Sequence, residues 1–215
     1  MFAANGSEPR PSRASVGRLS LYLRYLEGMA REGSGTVSSG QLGEPLGVTD
    51  AQVRKDLAYL GNLGQPGIGY PTRELIVALR HALGVDRPWT VALVGVGNLA
   101  RALLRYRGFQ QRGFRIVAVF DADAAKVGQQ LDGLTIQAVE RIPEVAAGVG
   151  VELGVITVPS ESAQAVADAL VAAGVKGILN FAPTIVRLPE RVSLVSVDLT
   201  VQLEQLAFLV QFGGP

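Results

Sequence analysis

The chain has 215 residues, 48% of them hydrophobic, enough to bury one sizeable core and to leave room for a second, smaller one. Net charge is +1, with residues 1–87 carrying ten Lys/Arg against eight Asp/Glu and the remainder ten against eleven, so no global basic field announces nucleic acid. The absence of cysteine excludes a disulfide framework, thiolate metal sites and a cysteine nucleophile; a single histidine, His81, excludes a His-rich metal centre and leaves acid–base chemistry few candidates. No apolar run approaches the roughly 20 residues of a membrane-spanning helix, and the start Met1-Phe2-Ala3-Ala4-Asn5 lacks a basic signal-peptide segment, so a soluble cytoplasmic protein is expected.

Residues 1–12, with Gly6, Pro9 and Pro11, read as a flexible arm. From Ser15 to Arg31, Leu19, Tyr22, Leu23, Leu26, Met29 and Ala30 recur at the spacing of a core-facing helix, which Gly33-Ser34-Gly35 ends. Ser38 or Ser39 can cap a short second helix carrying Leu42 and Leu46 on one face. Thr49-Asp50-Ala51-Gln52 fits a capping box and starts a third helix with Val53, Leu57 and Leu60 inward. Gln52, Arg54, Lys55 and Tyr59 are left on its outer side. A turn-rich stretch from Gly61 to Tyr70, including Gly67 and Gly69, can form a short hairpin before a fourth helix over Thr72 to Leu83, near whose end His81 reads as structural. This is the layout of a helix-turn-helix with a wing; the plainer alternative is a small helical packing module with a solvated charged face. In the first reading Arg54 and Lys55 reach base edges, while Ser38 and Ser39 position phosphates. Asp86-Arg87-Pro88 marks a boundary, giving one domain over 13–86.

Past it, Thr90 to Val94 reads as a buried strand, and Gly95-Val96-Gly97-Asn98-Leu99-Ala100 fits G-x-G-x-x-G/A, the turn that brings backbone against a pyrophosphate at a helix start. In a chain with 26 glycines such a pattern can arise by chance. What lifts it is context: a strand precedes it, a helix from Asn98 to Tyr106 follows, and the next strand, Arg115 to Phe120, ends at Asp121. An acidic residue there binds a ribose 2′-hydroxyl and repels a 2′-phosphate, favouring NAD(H) over NADP(H). Asp123 to Val127 is expected to begin a short helix. Strands are then expected at Leu134–Ile136, Leu153–Val158, Gly177–Asn180 and Val192–Val197, with helices over 142–147 and 160–173 between them. The alternation predicts an α/β fold with a parallel doubly wound sheet over 87–197, whose ligand crevice gathers Val158-Pro159 and Asn180-Phe181-Ala182-Pro183 beside Gly95 and Asp121. The last segment, 198–215, carries a helix from Asp198 to Phe212 that is apolar nearly all round. Such a helix needs burial on most sides, which a second subunit supplies; a homodimer is expected.

The chain resembles the Rex family of redox-sensing transcriptional repressors over nearly all of Ser15 to Gln211. The resemblance is carried by Val37-Ser38-Ser39, Gln52-Val53-Arg54-Lys55-Asp56-Leu57, Gly67-Ile68-Gly69-Tyr70, Ala92 to Leu99, Phe120-Asp121-Ala122-Asp123 with Lys126-Val127-Gly128, Thr157-Val158-Pro159, Gly177 to Pro183 and Val197-Asp198-Leu199. It implies an N-terminal winged helix-turn-helix domain, a Rossmann domain binding NADH and NAD⁺, a domain-swapped C-terminal helix, and dimers that leave a palindromic double-stranded operator when NADH accumulates. It further implies that Gly95, Val96, Gly97, Asn98, Leu99, Tyr106, Asp121, Asp123, Lys126, Thr157, Val158, Pro159, Asn180, Phe181 and Ala182 line the cofactor site. The DNA face would be Ser38, Ser39, Gln52, Arg54, Lys55, Tyr59, Gly67 and Gly69, and Arg24, Tyr106 and Asp198 would form a switch between domains. Two departures stand out: Ala100 ends the glycine motif where the family has glycine, and Gln65 and Pro66 replace basic wing residues. An enzyme is disfavoured, because the nicotinamide is offered only Lys126, Lys176 and a Tyr106 without a partner lysine four residues on, no histidine lies in this half, and only one helix follows Val197. The alternatives are a Rossmann-type enzyme and a coenzyme A-binding protein with an accessory helical domain.

Overall fold

The computed structural model describes residues 11–213 apart from Glu32, Ser34 and Pro66; almost all of the expected arm, and Pro66 of the expected wing, lie outside the described residues. The chain divides into two units between Arg87 and Pro88.

In the first unit, α1 (Arg13–Arg31) packs with α2 (Ser39–Gly43), α3 (Asp50–Leu57) and α4 (Thr72–Ala82) around Tyr22, Leu23, Leu26, Leu42, Val53 and Leu75, all within 1% of full burial. The two-residue strands β1 (Thr36–Val37) and β2 (Tyr70–Pro71) pair antiparallel, and Gln65 bridges Gly69 to close a tight hairpin between α3 and β2. Gly69, at φ +94°, is required there: a side chain would collide with the Val37 carbonyl. The expected capping box at Thr49 is only half formed. Thr49 Oγ1 accepts from the Gln52 N–H, but the Gln52 side chain turns to Asp56 instead of reaching back. The complete box lies one helix earlier, between Ser38 and Gln41.

In the second unit, β3 (Trp89–Val94), α5 (Asn98–Leu104), α6 (Arg107–Gln111), β4 (Phe114–Asp121), β5 (Gln130–Leu131), β6 (Leu134–Ala138), α7 (Ile142–Gly148), β7 (Leu153–Ile156), α8 (Ser160–Ala172), β8 (Gly177–Asn180), β9 (Ser193–Ser196) and α9 (Leu199–Phe212) follow in order. The sheet runs β5-β6-β4-β3-β7-β8-β9, parallel except for the β5–β6 hairpin. Leaving out β5, this is the order of a doubly wound dinucleotide fold, and its direction reverses between β3 and β7. Two expectations are corrected here. Tyr106 does not end the helix opened by the glycine turn: α5 stops at Leu104, and Tyr106 stands at the N-cap of α6. Residues 124–128 form turns where a short helix over 123–127 is expected: the single turn begun at Asp123 goes no further, because Gly128 takes φ +85° and its N–H donates to the Ile136 carbonyl at 2.8 Å.

One face of the sheet is covered by α7 and α8 through Phe120, Ile142, Ile156, Ala163, Ala167 and Leu170, none above 0% exposure. The other face is covered only in part by α5. An apolar groove of about 420 Å³ remains there, lined by Val91, Leu93, Phe109, Ile116, Leu179 and Val195 among others. Every residue of α9 is exposed, including Leu203 (65%), Phe208 (61%) and Val210 (78%).

Candidate functional site

The crevice lies outside the carboxyl ends of β3, β4 and β7. Gly95 takes φ +92°, and a side chain there would fall 2.8 Å from the Thr157 carbonyl oxygen and 2.7 Å from Val158 Cγ1, so backbone and packing both demand glycine. Gly97 is different. Its φ of −89° suits any residue, and an added Cβ would meet nothing within 4 Å. The fold does not need this glycine, and the space kept clear at the start of α5 is what a pyrophosphate requires. Ala100 is wholly buried, so the small residue closing the motif serves packing between helix and strand.

Asp121, 7% exposed at the end of β4, is tied to the glycine turn. Its Oδ2 accepts the Val96 N–H at 2.7 Å and Lys126 Nζ at 3.1 Å, and its Oδ1 accepts the Asp123 N–H at 2.8 Å. Burial alone would raise its pKa, but the two N–H groups and the lysine outweigh that and hold the carboxyl below its ordinary range. Thr157 Oγ1 sits 2.9 Å from the Val94 carbonyl oxygen and 2.8 Å from that of Gly95, so this hydroxyl braces the turn. Asn180 is fully buried. Its amide donates to the Ala182 and Thr184 carbonyls and accepts the Ala182 N–H, which pins the loop after β8 and commits both amide hydrogens. Gly97, Asn98 and Leu99 are exposed at the start of α5, while Val158, Pro159 and Phe181 are less accessible or flank α8. Tyr106 lies past the far end of α5, 54% exposed, its ring edge-to-face with Phe109 at 5.3 Å. The structure therefore gathers Gly95, Val96, Asp121, Asp123, Lys126 and Thr157 at one place and sets Tyr106 apart from it.

On the first unit, a cleft of about 540 Å³ runs between α3 and the hairpin, with Ser39, Arg54, Ala58, Asn62, Gln65 and Ile68 in its walls. Arg54 Nη1 donates to Ser39 Oγ at 3.1 Å and to Asp50 Oδ2 at 2.6 Å. Lys55 is exposed, as are Tyr59 (38%), Ser38 and, at the hairpin tip, Gly67 and Ile68. The Ser38 hydroxyl is committed to its cap. Gln52 Nε2 donates to Asp56 Oδ1 at 2.9 Å, away from the outer face.

Asp56 was not among the expected functional residues, yet it organises this unit. At 1% exposure it accepts from Arg18 at 2.5 and 2.8 Å, from the Tyr22 hydroxyl at 3.0 Å and from Gln52. Burial pushes its carboxyl up, but the bonds from Arg18, Tyr22 and Gln52 prevail and lower it; burial and Asp56 together push Tyr22 up to about 12. A signal was present: Asp56 falls three residues after Val53 and four before Leu60, on the inward stripe, where a carboxylate needs a partner. Among the described residues, the Arg24 side chain is exposed and makes no hydrogen bond, while Asp198 Oδ1 caps α9 through the N–H groups of Thr200 and Val201.

Residues 12–58 match a family model described as a putative DNA-binding protein N-terminus, and residues 86–184 one described as a CoA binding domain. The redox-sensing transcriptional repressor Rex of Carboxydothermus hydrogenoformans is 49% identical over 92% of this chain and 95% of its own. Among solved structures, RSP in complex with beta-NAD⁺ and operator DNA superposes with a TM-score of 0.89 at 33% identity, covering 94% of each chain. RSP in complex with beta-NADH gives 0.83 at 32% identity, covering 94% of this chain and 95% of that one.

Proposed function

The chain belongs to the Rex family of redox-sensing transcriptional repressors, and from that premise we propose how its parts divide the work: residues 13–86 form a winged-helix DNA-binding domain, 87–197 a Rossmann domain for NADH and NAD⁺, and 198–215 a helix exchanged between the two chains of a homodimer in the cytoplasm. It is a repressor and not an enzyme. The observation that carries the cofactor reading is the turn at Gly97, cleared of a side chain that the fold would tolerate, beside a carboxylate held ionised at the ribose position. Between its two forms the nicotinamide differs by a hydride and a positive charge, and that difference is the signal. A signal of this kind acts only if the two forms bind the DNA-competent and DNA-free states with unequal affinity.

Coenzyme A is the second reading, favoured by the family model over 86–184. Titration of NADH, NAD⁺ and coenzyme A against the protein on a labelled palindromic operator, selected from random DNA, separates them. NADH should release the DNA and NAD⁺ should not; release by coenzyme A alone would overturn the proposal.

At the operator, Arg54 and Lys55 on α3 enter the major groove, with Tyr59 and Ser39 beside them and Ser38, Gly67 and Gly69 near the backbone. The Arg54–Asp50 pair is about half exposed on both sides, so it is weak and easily exchanged for a base. Arg54→Ala should cost about 1–3 kcal/mol of specific binding. An unchanged operator affinity would take α3 out of the groove.

The switch joins Arg24, Tyr106 and Asp198. Arg24 pairs with Asp198 in one state, and Tyr106 replaces it when reduced nicotinamide binds. For a firm switch the pair must be at least partly buried, because an exposed one contributes only about 0–1 kcal/mol. Operator affinity with and without NADH is to be measured for Arg24→Ala, Asp198→Ala and the double variant. Strong non-additivity in the NADH effect is expected; simple additivity would dismiss the coupling.

A further inference from the structure

We propose that Lys126 sets how strictly the crevice rejects a dinucleotide carrying a 2′-phosphate, making the ribose pocket more tolerant of it than the Asp121 carboxylate alone would be. The inference rests on the dinucleotide reading of the crevice and concerns its ribose edge. Asp121 Oδ2 already accepts two hydrogen bonds, from the Val96 N–H at 2.7 Å and from Lys126 Nζ at 3.1 Å. Oδ1 accepts one, from Asp123, and so keeps room for one ribose hydroxyl but not for a diol gripped by both oxygens. Lys126 Nζ also lies 3.7 Å from Asp123 Oδ2, so the ammonium stands between both carboxylates of the site. A lysine carries three N–H donors, and at least one remains for a ligand oxygen.

The charges then decide. Against a bare Asp121 and Asp123 a 2′-phosphate meets only repulsion. With Lys126 in place it meets an attraction of similar range, because the ammonium stands 3.1 Å from Asp121 Oδ2 and 3.7 Å from Asp123 Oδ2. The side chain is 33% exposed, so screening weakens this attraction without removing it. Lys126 is held there by backbone: its N–H and that of Val127 donate to the Asp123 carbonyl at 2.9 and 3.2 Å, and the Ala125 N–H donates to Asp123 Oδ1. Truncating the lysine therefore leaves the turn standing.

The test is calorimetric titration of NADH and NADPH into the full chain and into Lys126→Met and Lys126→Arg, with thermal midpoints as the folding control. Lys126→Met should lose about tenfold more affinity for NADPH than for NADH, widening the discrimination, while Lys126→Arg should keep the parent ratio. An unchanged ratio in Lys126→Met, or an equal loss for both nucleotides in it, would overturn the proposal. A parent that binds neither nucleotide would instead remove the dinucleotide reading, and this inference with it.

Discussion

Replacing Asp56 by alanine is expected to destabilise the first unit by about 3–5 kcal/mol, the cost of breaking a buried ion pair by removing one partner. Its carboxylate is 1% exposed and takes four hydrogen bonds, from Arg18 twice, Tyr22 and Gln52. Without it the Tyr22 hydroxyl, at 0% exposure, loses its acceptor. Arg18 is 26% exposed and can partly recover hydration, which pulls the loss toward the lower end of that range. The network also joins α1 to α3, so operator affinity should fall with stability, and Gln52 should become free to move. Because the folded carboxyl is held below its unfolded value, its contribution is fully present above about pH 4 and is lost as pH falls through the folded value. Urea denaturation of parent and variant at neutral pH checks the first claim, and a pH series checks the second. A loss under about 1 kcal/mol would show the network to be dispensable.

Charging the last helix should abolish the proposed dimer. Leu199, Leu203, Leu206 and Val210 lie at i, i+4, i+7 and i+11 on one stripe of α9, while Val201, Phe208 and Phe212 lie on another, and all are exposed in the single chain. The same unit leaves about 420 Å³ of apolar groove on one face of its sheet. Exposed apolar surface on both a helix and a sheet face is resolved when the helix of one chain covers the groove of another. Fully burying a leucine contributes about 1.5–3 kcal/mol, and a two-fold dimer would bury Leu203 and Leu206 twice each. Leu203→Glu with Leu206→Glu should therefore raise the dimer dissociation constant by at least about a thousandfold. Sedimentation velocity at micromolar protein should find the parent dimeric and the variant monomeric. A variant that stays dimeric would place the interface elsewhere.

Several features were legible in the sequence because they depend on short-range physics. The helical spacing of Leu19, Tyr22, Leu23 and Leu26 placed α1, and Pro159 and Asp198 marked the starts of α8 and α9. The glycine turn followed by an acidic strand end announced the crevice, since φ > 0 at Gly95 and a carboxylate at the end of β4 are local requirements. The surplus of apolar residues in α9 announced a helix that one chain by itself leaves exposed.

What only the tertiary structure decided was where polar side chains with several possible partners would spend themselves. Gln52 could have closed the box on Thr49, but the buried carboxylate four residues on is the stronger acceptor, because an ionised group away from water must be satisfied. Asn180 spends both its amide hydrogens on the loop after β8, which folds back onto it, a partner no local pattern names. Lys126 belonged to an expected short helix until the turn that forms there laid it across Asp121. The order of the strands, and hence the reversal between β3 and β7 that opens the crevice, was also beyond any local pattern. Periodicity tells which residues face a core. The choice among competing partners follows from burial, and burial exists only after distant segments have met.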